Sequence, residues 1–141
     1  MSQFPLQVWR VGRNANSQHE YVMVLRDDLG RLLPMLIGPC EAVAIWSGLQ
    51  AQEEERGARR PITHDLLTAL IDHLGGSLTK VVIDDLWNGV YYAKLHLALD
   101  GKTVTVDARP SDGVAVSLRA GVPLYGTEAV LAAAAQPEEP S

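Results

Sequence analysis

Two stretches of this chain repeat each other without a gap. L-G-R-L-L-P-M-L-I-G-P-C-E-A-V-A-I, ending at Ile45, aligns with D-G-K-T-V-T-V-D-A-R-P-S-D-G-V-A-V, ending at Val116. Gly30 falls on Gly101, Arg31 on Lys102, Pro39 on Pro110, Glu41 on Asp112, Val43 on Val114 and Ala44 on Ala115, each pair 71 positions apart (101 − 30, 110 − 39). The shared unit reads as hairpin turn, strand, X-Pro, acidic residue, helix. Proline disfavours helix for the residue before it and suits the first helical position, so it marks where strand becomes helix. An acid two residues later meets the unpaired N–H groups and positive dipole end of that helix, worth about 0.3–1 kcal/mol. Helix capping alone would account for Glu41 and Asp112. A role in chemistry is the alternative.

The remaining elements follow from periodicity and turn chemistry. F-P-L-Q-V-W-R-V (4–11) alternates like a strand, a polar turn follows, and Y-V-M-V-L from Tyr21 is a second strand. D-D-L-G closes a turn at Gly30, and Pro34 within the next apolar run predicts an edge strand or bulge, because proline cannot donate to a ladder. Ala42, Ile45, Trp46 and Leu49 mark a helix from Glu41 to about Gln52. The clearest helix begins near Thr63, expected as its N-cap, with Asp65 in the first turn, Leu66, Leu70, Ile71 and Leu74 as an apolar stripe, and Gly75 as the stop. Val81–Ile83, Val90–Leu99 and Thr103–Ala108 read as strands, with hairpin signals at Asn88–Gly89 and Asp100–Gly101. A short helix capped by Thr127 ends the pattern. The expected fold class is α+β: a mixed, mainly antiparallel sheet with two strand–Pro–helix units and a central helix. It forms one domain over residues 1–135, and 136–141 are expected to be a disordered tail.

Composition narrows the function. Twelve Lys and Arg against 17 Asp and Glu give a net charge of −5, so any grip on a polynucleotide must be local rather than a broad basic face. The densest basic cluster is Arg56, Arg59 and Arg60, directly after three glutamates that cancel much of its field. A single Cys40 excludes an intramolecular disulfide and a Cys-based zinc site and points to a reducing, cytoplasmic location. No stretch approaches the roughly 20 apolar residues needed to cross a bilayer, so no membrane partner is expected. P-loop, G-x-G-x-x-G and H-E-x-x-H patterns are absent.

I-G-P-C-E-A (37–42), R-P-I-T-H-D-L-L (60–67) and D-A-R-P-S-D-G (107–113) together, in this order and spacing, resemble the bifunctional nuclease domain family over roughly Tyr21 to Leu131. The resemblance implies a nuclease of low selectivity acting on DNA and RNA with divalent metal assistance. It places Glu41, His64, Asp65, Asp107, Arg109, Ser111 and Asp112 at the polar positions of the motifs. Gly113 departs from the pattern, which usually has alanine there, and Cys40 is not a motif residue.

In the functional reading, Glu41, Asp107 and Asp112 are metal ligands. Their hard oxygens suit Mg²⁺ or Mn²⁺, which would polarise a phosphodiester and activate water. Arg109 neutralises developing charge, and His64 acts as general acid or base oriented by a carboxylate such as Asp65 or Asp107, of which Asp65 is the poorer partner because consecutive helix residues point about 100° apart. Asp65 and Ser111 are counted with the catalytic residues. In the structural reading, Asp107 and Arg109 form a same-face ion pair, Ser111 is an N-cap, His64 caps its own helix, and Cys40 is a small buried apolar group. A rival function of a different class is a non-catalytic oligomeric binding or regulatory module anchored by Trp46, Trp87, Tyr91 and Tyr92. Under either reading a homo-oligomer is expected, a dimer first.

Overall fold

The structure, a computed structural model, describes residues 2–16, 20–53 and 61–137, with residues 51–53 described by backbone alone. Arg56, Arg59, Arg60, His19 and the last four residues of the expected tail lie outside the described residues. Gln136, at the start of that tail, exchanges two backbone hydrogen bonds of 2.7 Å with Leu32.

The chain runs β1 (Gln3–Arg13), β2 (Tyr21–Asp27), β3 (Leu32–Ile37), α1 (Pro39–Glu53), α2 (Thr63–His73), β4 (Ser77–Trp87), β5 (Val90–Leu99), β6 (Lys102–Ala108), α3 (Pro110–Ala120), β7 (Leu124–Thr127) and α4 (Glu128–Ala134). The strands form one sheet in the order β3-β2-β1-β7-β4-β5-β6. Every pairing is antiparallel except β4 with β7. This is the expected α+β architecture. It is a β-β-β-α meander used twice, with β3 and β6 at opposite edges and β7 at the seam between the halves.

Local chemistry explains the repeat. Asn88 and Gly89 (φ 51° and 76°) and Asp100 and Gly101 (φ 52° and 75°) place two consecutive residues in the left-handed region, as a tight two-residue hairpin demands. Gly30, the repeat partner of Gly101, is left-handed as well, at φ 83°. Its turn is held by Asp27, whose buried carboxylate accepts from the backbone N–H groups of Leu29 and Arg31 and from Arg31 Nε at 2.7 Å. Pro34 pairs only with β2, on the sheet edge. Strand β7 has no counterpart in the sequence reading: it is four residues long, and its pairing with β4 joins segments far apart in the chain.

Two helix starts differ from expectation, α2 by one position and α3 by two. The N-cap of α2 is Ile62, not Thr63, and Asp65 Oδ2 accepts from the Ile62 N–H at 2.9 Å. The N-cap of α3 is Arg109, not Ser111, and Ser111 is buried inside the first turn. In α2 an acid at the third position does the capping that a hydroxyl at the start was expected to do. Thr127 caps α4 as expected, accepting from Val130 N–H.

The core lies between the sheet and the helices, with Met23, Leu25, Leu33, Ile45, Val81, Ile83, Val114 and Val116 essentially inaccessible. α3 rests directly on β4 and β5. A Cβ at Gly113 would stand 2.8 Å from Val81 Cγ1 and 3.8 Å from the Ala93 Cβ. Helix α2 is held differently: it packs on α3, yet none of its eleven residues is buried. Trp46 on α1 is exposed as well.

Gly113→Ala tests how α3 is seated. Alanine gains up to about 1 kcal/mol of helix propensity, while an extra methyl in a closely packed contact typically costs 1–3 kcal/mol, roughly. The contact with Val81 dominates, so the substitution lowers stability by about 1 kcal/mol in urea unfolding. A stabilised variant would mean that α3 does not press on β4 as described.

Candidate functional site

Each strand–Pro–helix junction delivers a helix N-terminus, and the start of α2 joins them. The first turns of α1 (Pro39, Cys40, Glu41), α2 (Ile62, Thr63, His64) and α3 (Arg109, Asp112) line one open cleft of about 830 Å³, whose apolar floor includes Leu67, Leu95 and Val106. Three positive dipole ends therefore border the same space, and each helix start carries an acid in its first turn: Glu41, Asp65 and Asp112.

The polar side chains at its mouth are linked. Arg109 Nε lies 3.1 Å from Asp112 Oδ2, and Arg109 NH1 lies 3.3 Å from Glu41 Oε1. His64 Nε2 lies 2.9 Å from Asp112 Oδ1. Burial pushes the Asp112 carboxyl upward, but the hydrogen bonds from His64 and Arg109 outweigh it and hold the group below its ordinary value, while Arg109 is raised in turn. Ionised Asp112 can only accept, so His64 Nε2 carries the hydrogen and, in the neutral imidazole, Nδ1 carries the lone pair. The Glu41 carboxylate folds back over Gly38 into space that any Cβ there would occupy. Arg109 and Glu41 also form the wall between this cleft and a second hollow of about 670 Å³ bounded by Leu36, Ile37, Val90 and Tyr91.

Of the seven residues singled out from sequence, Glu41, His64, Arg109 and Asp112 come together. Asp107 borders the same cleft, but its carboxylate does not join their network. The β5–β6 register sets Val106 beside Leu95 and Asp107 beside Lys94, so strand alternation sends Val106 toward the helices and Asp107 to the opposite sheet face. There the Asp107 side chain is 94% exposed, 4.0 Å from Lys94 Nζ. The expected Asp107–Arg109 pair is replaced because β6 ends at Ala108, and Arg109, released from the strand, turns to Glu41 and Asp112. Asp65 faces inward: one oxygen caps α2 and the other accepts from Arg119 Nε at 2.8 Å. Cys40 is exposed rather than buried, standing in the first turn of α1 on the cleft side. Arg119 and Gly38 escaped the sequence reading. The only signals for them are an arginine seven residues after Asp112 and a glycine where the second repeat has Arg109.

A divalent ion needs oxygen ligands free to turn toward it. Both oxygens of Asp112 and one of Glu41 face Arg109 or His64, and the Asp107 carboxylate turns toward Lys94. Among the described residues no three His, Cys, Asp or Glu side chains gather as a metal-binding group. As arranged, these side chains do not fit a divalent-ion site.

A sequence profile described as the bifunctional nuclease domain matches residues 23–139. An uncharacterized protein of Mycobacterium tuberculosis strain H37Rv is 48% identical over 118 residues, covering 83% of this chain and 68% of that protein. Bifunctional nuclease 1 of Oryza sativa subsp. japonica is 25% identical over 117 residues (79% of this chain, 34% of that protein). Bifunctional nuclease 2 of Arabidopsis thaliana is 24% identical over 106 residues (73% and 31%). The chain thus spans about a third of these plant relatives.

The lowered Asp112 carboxyl makes a stability prediction whose sign follows from linkage. A carboxyl with a folded value below its unfolded one contributes stability above the unfolded value and loses it as pH falls through the folded one. Asp112→Asn therefore melts a few degrees below wild type at pH 7, and the gap closes below about pH 4 as Asp112 protonates. Thermal melts across pH 2–8 check it. A gap independent of pH would contradict the charged pairing.

Proposed function

Because the chain belongs to the bifunctional nuclease domain family, we propose that it cleaves phosphodiester bonds of DNA and RNA at the three-helix cleft. The observation that carries this reading is the convergence of His64, Asp112 and Arg109 on a space bordered by three helix N-termini. The names of the plant relatives support the activity, and the open cleft with its linked polar cluster supports this location. The net charge of −5 restricts the grip on nucleic acid to this local region.

In this reading each residue has a distinct task. Arg109, whose side chain is 66% exposed, meets a phosphate oxygen together with the first-turn N–H groups and offsets the charge that develops there. His64, with Nε2–H held by Asp112, takes a proton from the attacking water through Nδ1. Glu41 aims Arg109 across the cleft. Ser111, buried at the α3 start, shapes the turn that presents Asp112. Assistance by Mg²⁺ or Mn²⁺, which the family resemblance implies, is a separate proposal, and it would require carboxylates of this cluster to open from Arg109.

Purified protein is to be assayed on single-stranded DNA and on RNA with EDTA, with Mg²⁺ and with Mn²⁺. In whichever condition supports cleavage, His64→Gln and Arg109→Ala each lower the rate about 100-fold or more. Equal rates for wild type and variants would contradict the assignment.

A second reading, compatible with the first, rests on the apolar stripe of α2. Leu66, Leu70 and Leu74 are 56%, 48% and 76% exposed, and Trp46 on α1 is 56% exposed. Such a face marks an association surface, and we propose that the chain forms a homodimer through it. Light scattering gives twice the chain mass for wild type and a monomer for Leu70→Glu. A wild-type monomer at all concentrations would overturn the assembly.

A further inference from the structure

Helix α2 carries His64, whose side chain is 12% exposed, but none of the helix's residues is fully buried, so apolar packing alone holds α2 less firmly than α1 or α3. What fixes it is a charge. The Arg119 side chain, on the last turn of α3, is fully enclosed. Its NH1 donates to the carbonyls of Ala44 on α1 and Ala115 on α3, each at 3.0 Å, and its Nε donates to Asp65 Oδ1 on α2 at 2.8 Å. One guanidinium thus joins all three helices whose first turns border the cleft. Planar geometry with several fixed donors is what allows a single side chain to do this.

We propose that Arg119 is the positioning residue that sets His64 against Asp112. Asp112 and Arg119 are seven residues apart on α3, about two turns, and so share one face of that helix. They grip consecutive residues of α2: Asp112 takes His64, and Arg119 takes Asp65. Asp65 completes the device, because its other oxygen caps the Ile62 N–H and so fixes the turn in which His64 lies. Asp65 thereby acts through position rather than as a proton carrier. Gly48 belongs to the same arrangement: a Cβ there would stand 2.9 Å from Arg119 NH1, so glycine lets α1 come close enough for its Ala44 carbonyl to be reached. Arg119 sits about 10 Å along α3 from Asp112, so it touches no reacting group.

The catalytic consequence rests on the His64–Asp112 assignment above, but the geometric claim is read without activity. ¹⁵N NMR of the imidazole at neutral pH reports which nitrogen carries the hydrogen. In wild type the Nε2–H form dominates. In Arg119→Met, shown to be folded by circular dichroism, the His64 signals move to the mixture of tautomers of a free histidine, and Arg119→Lys restores part of the wild-type pattern. Cleavage in Arg119→Met falls about tenfold in kcat with KM changed less than threefold. If Arg119→Met does not fold, Gly48→Ala, which displaces the guanidinium by crowding, must give the same tautomer change. Unaltered His64 signals in a folded Arg119→Met or Gly48→Ala variant would overturn the proposal. Altered signals without any cleavage in wild type would instead leave the positioning intact and count against the nuclease reading.

Discussion

The arrangement of the cleft depends on a repulsion that the fold creates and must answer. Each strand–Pro–helix unit benefits from an acid two residues after its proline, and the repeat brings two such acids, Glu41 and Asp112, to the same opening. Two carboxylates sharing one opening would oppose each other unless a cation lay between them. Arg109 supplies it from the position where the other repeat has Gly38, and Gly38 leaves the room into which Glu41 folds. The two units are complementary at this one place, arginine in one and open space in the other. That difference turns a repeated structural motif into an asymmetric site.

Around this cluster, positional control is divided by helix. α1 and α3 are seated by apolar burial, with Ala44, Ile45, Val114 and Val116 in the core. α2 is fastened through Asp65 and His64 to one face of α3. An element held by polar contacts keeps a defined geometry only while every partner is in place, since a buried charge stripped of its partner is costly. The residue that most needs fixed geometry therefore sits on the element whose position depends most on individual hydrogen bonds.

Much of this architecture was legible from residues alone, and the failures share a cause. The repeat, its edge strands and its hairpin turns are local: Asn88–Gly89, Asp100–Gly101 and the two X-Pro junctions specify their own backbone. Glu41, His64, Arg109 and Asp112 were legible as a set because family motifs name them together. Strand β7 was not, since its place depends on parallel pairing with β4 across the sheet seam. Alternation correctly set Asp107 opposite Val104 and Val106. Which of those faces the helices would cover is a matter of packing, and packing sent Asp107 to Lys94. Arg119 was invisible for the converse reason: an arginine reads as surface until three carbonyl and carboxylate partners surround it.

The central claim, that three helix N-termini and Arg109 bind a phosphodiester, is tested most directly by titrating ¹⁵N-labelled protein with a non-hydrolysable dinucleoside phosphorothioate. The account predicts that chemical-shift changes concentrate in the amides of Cys40, Glu41, Thr63, His64, Ser111 and Asp112 and in Arg109 Nε. Changes confined to Lys80, Lys94 and His96 on the opposite face of the sheet, or no changes at millimolar ligand, would contradict it.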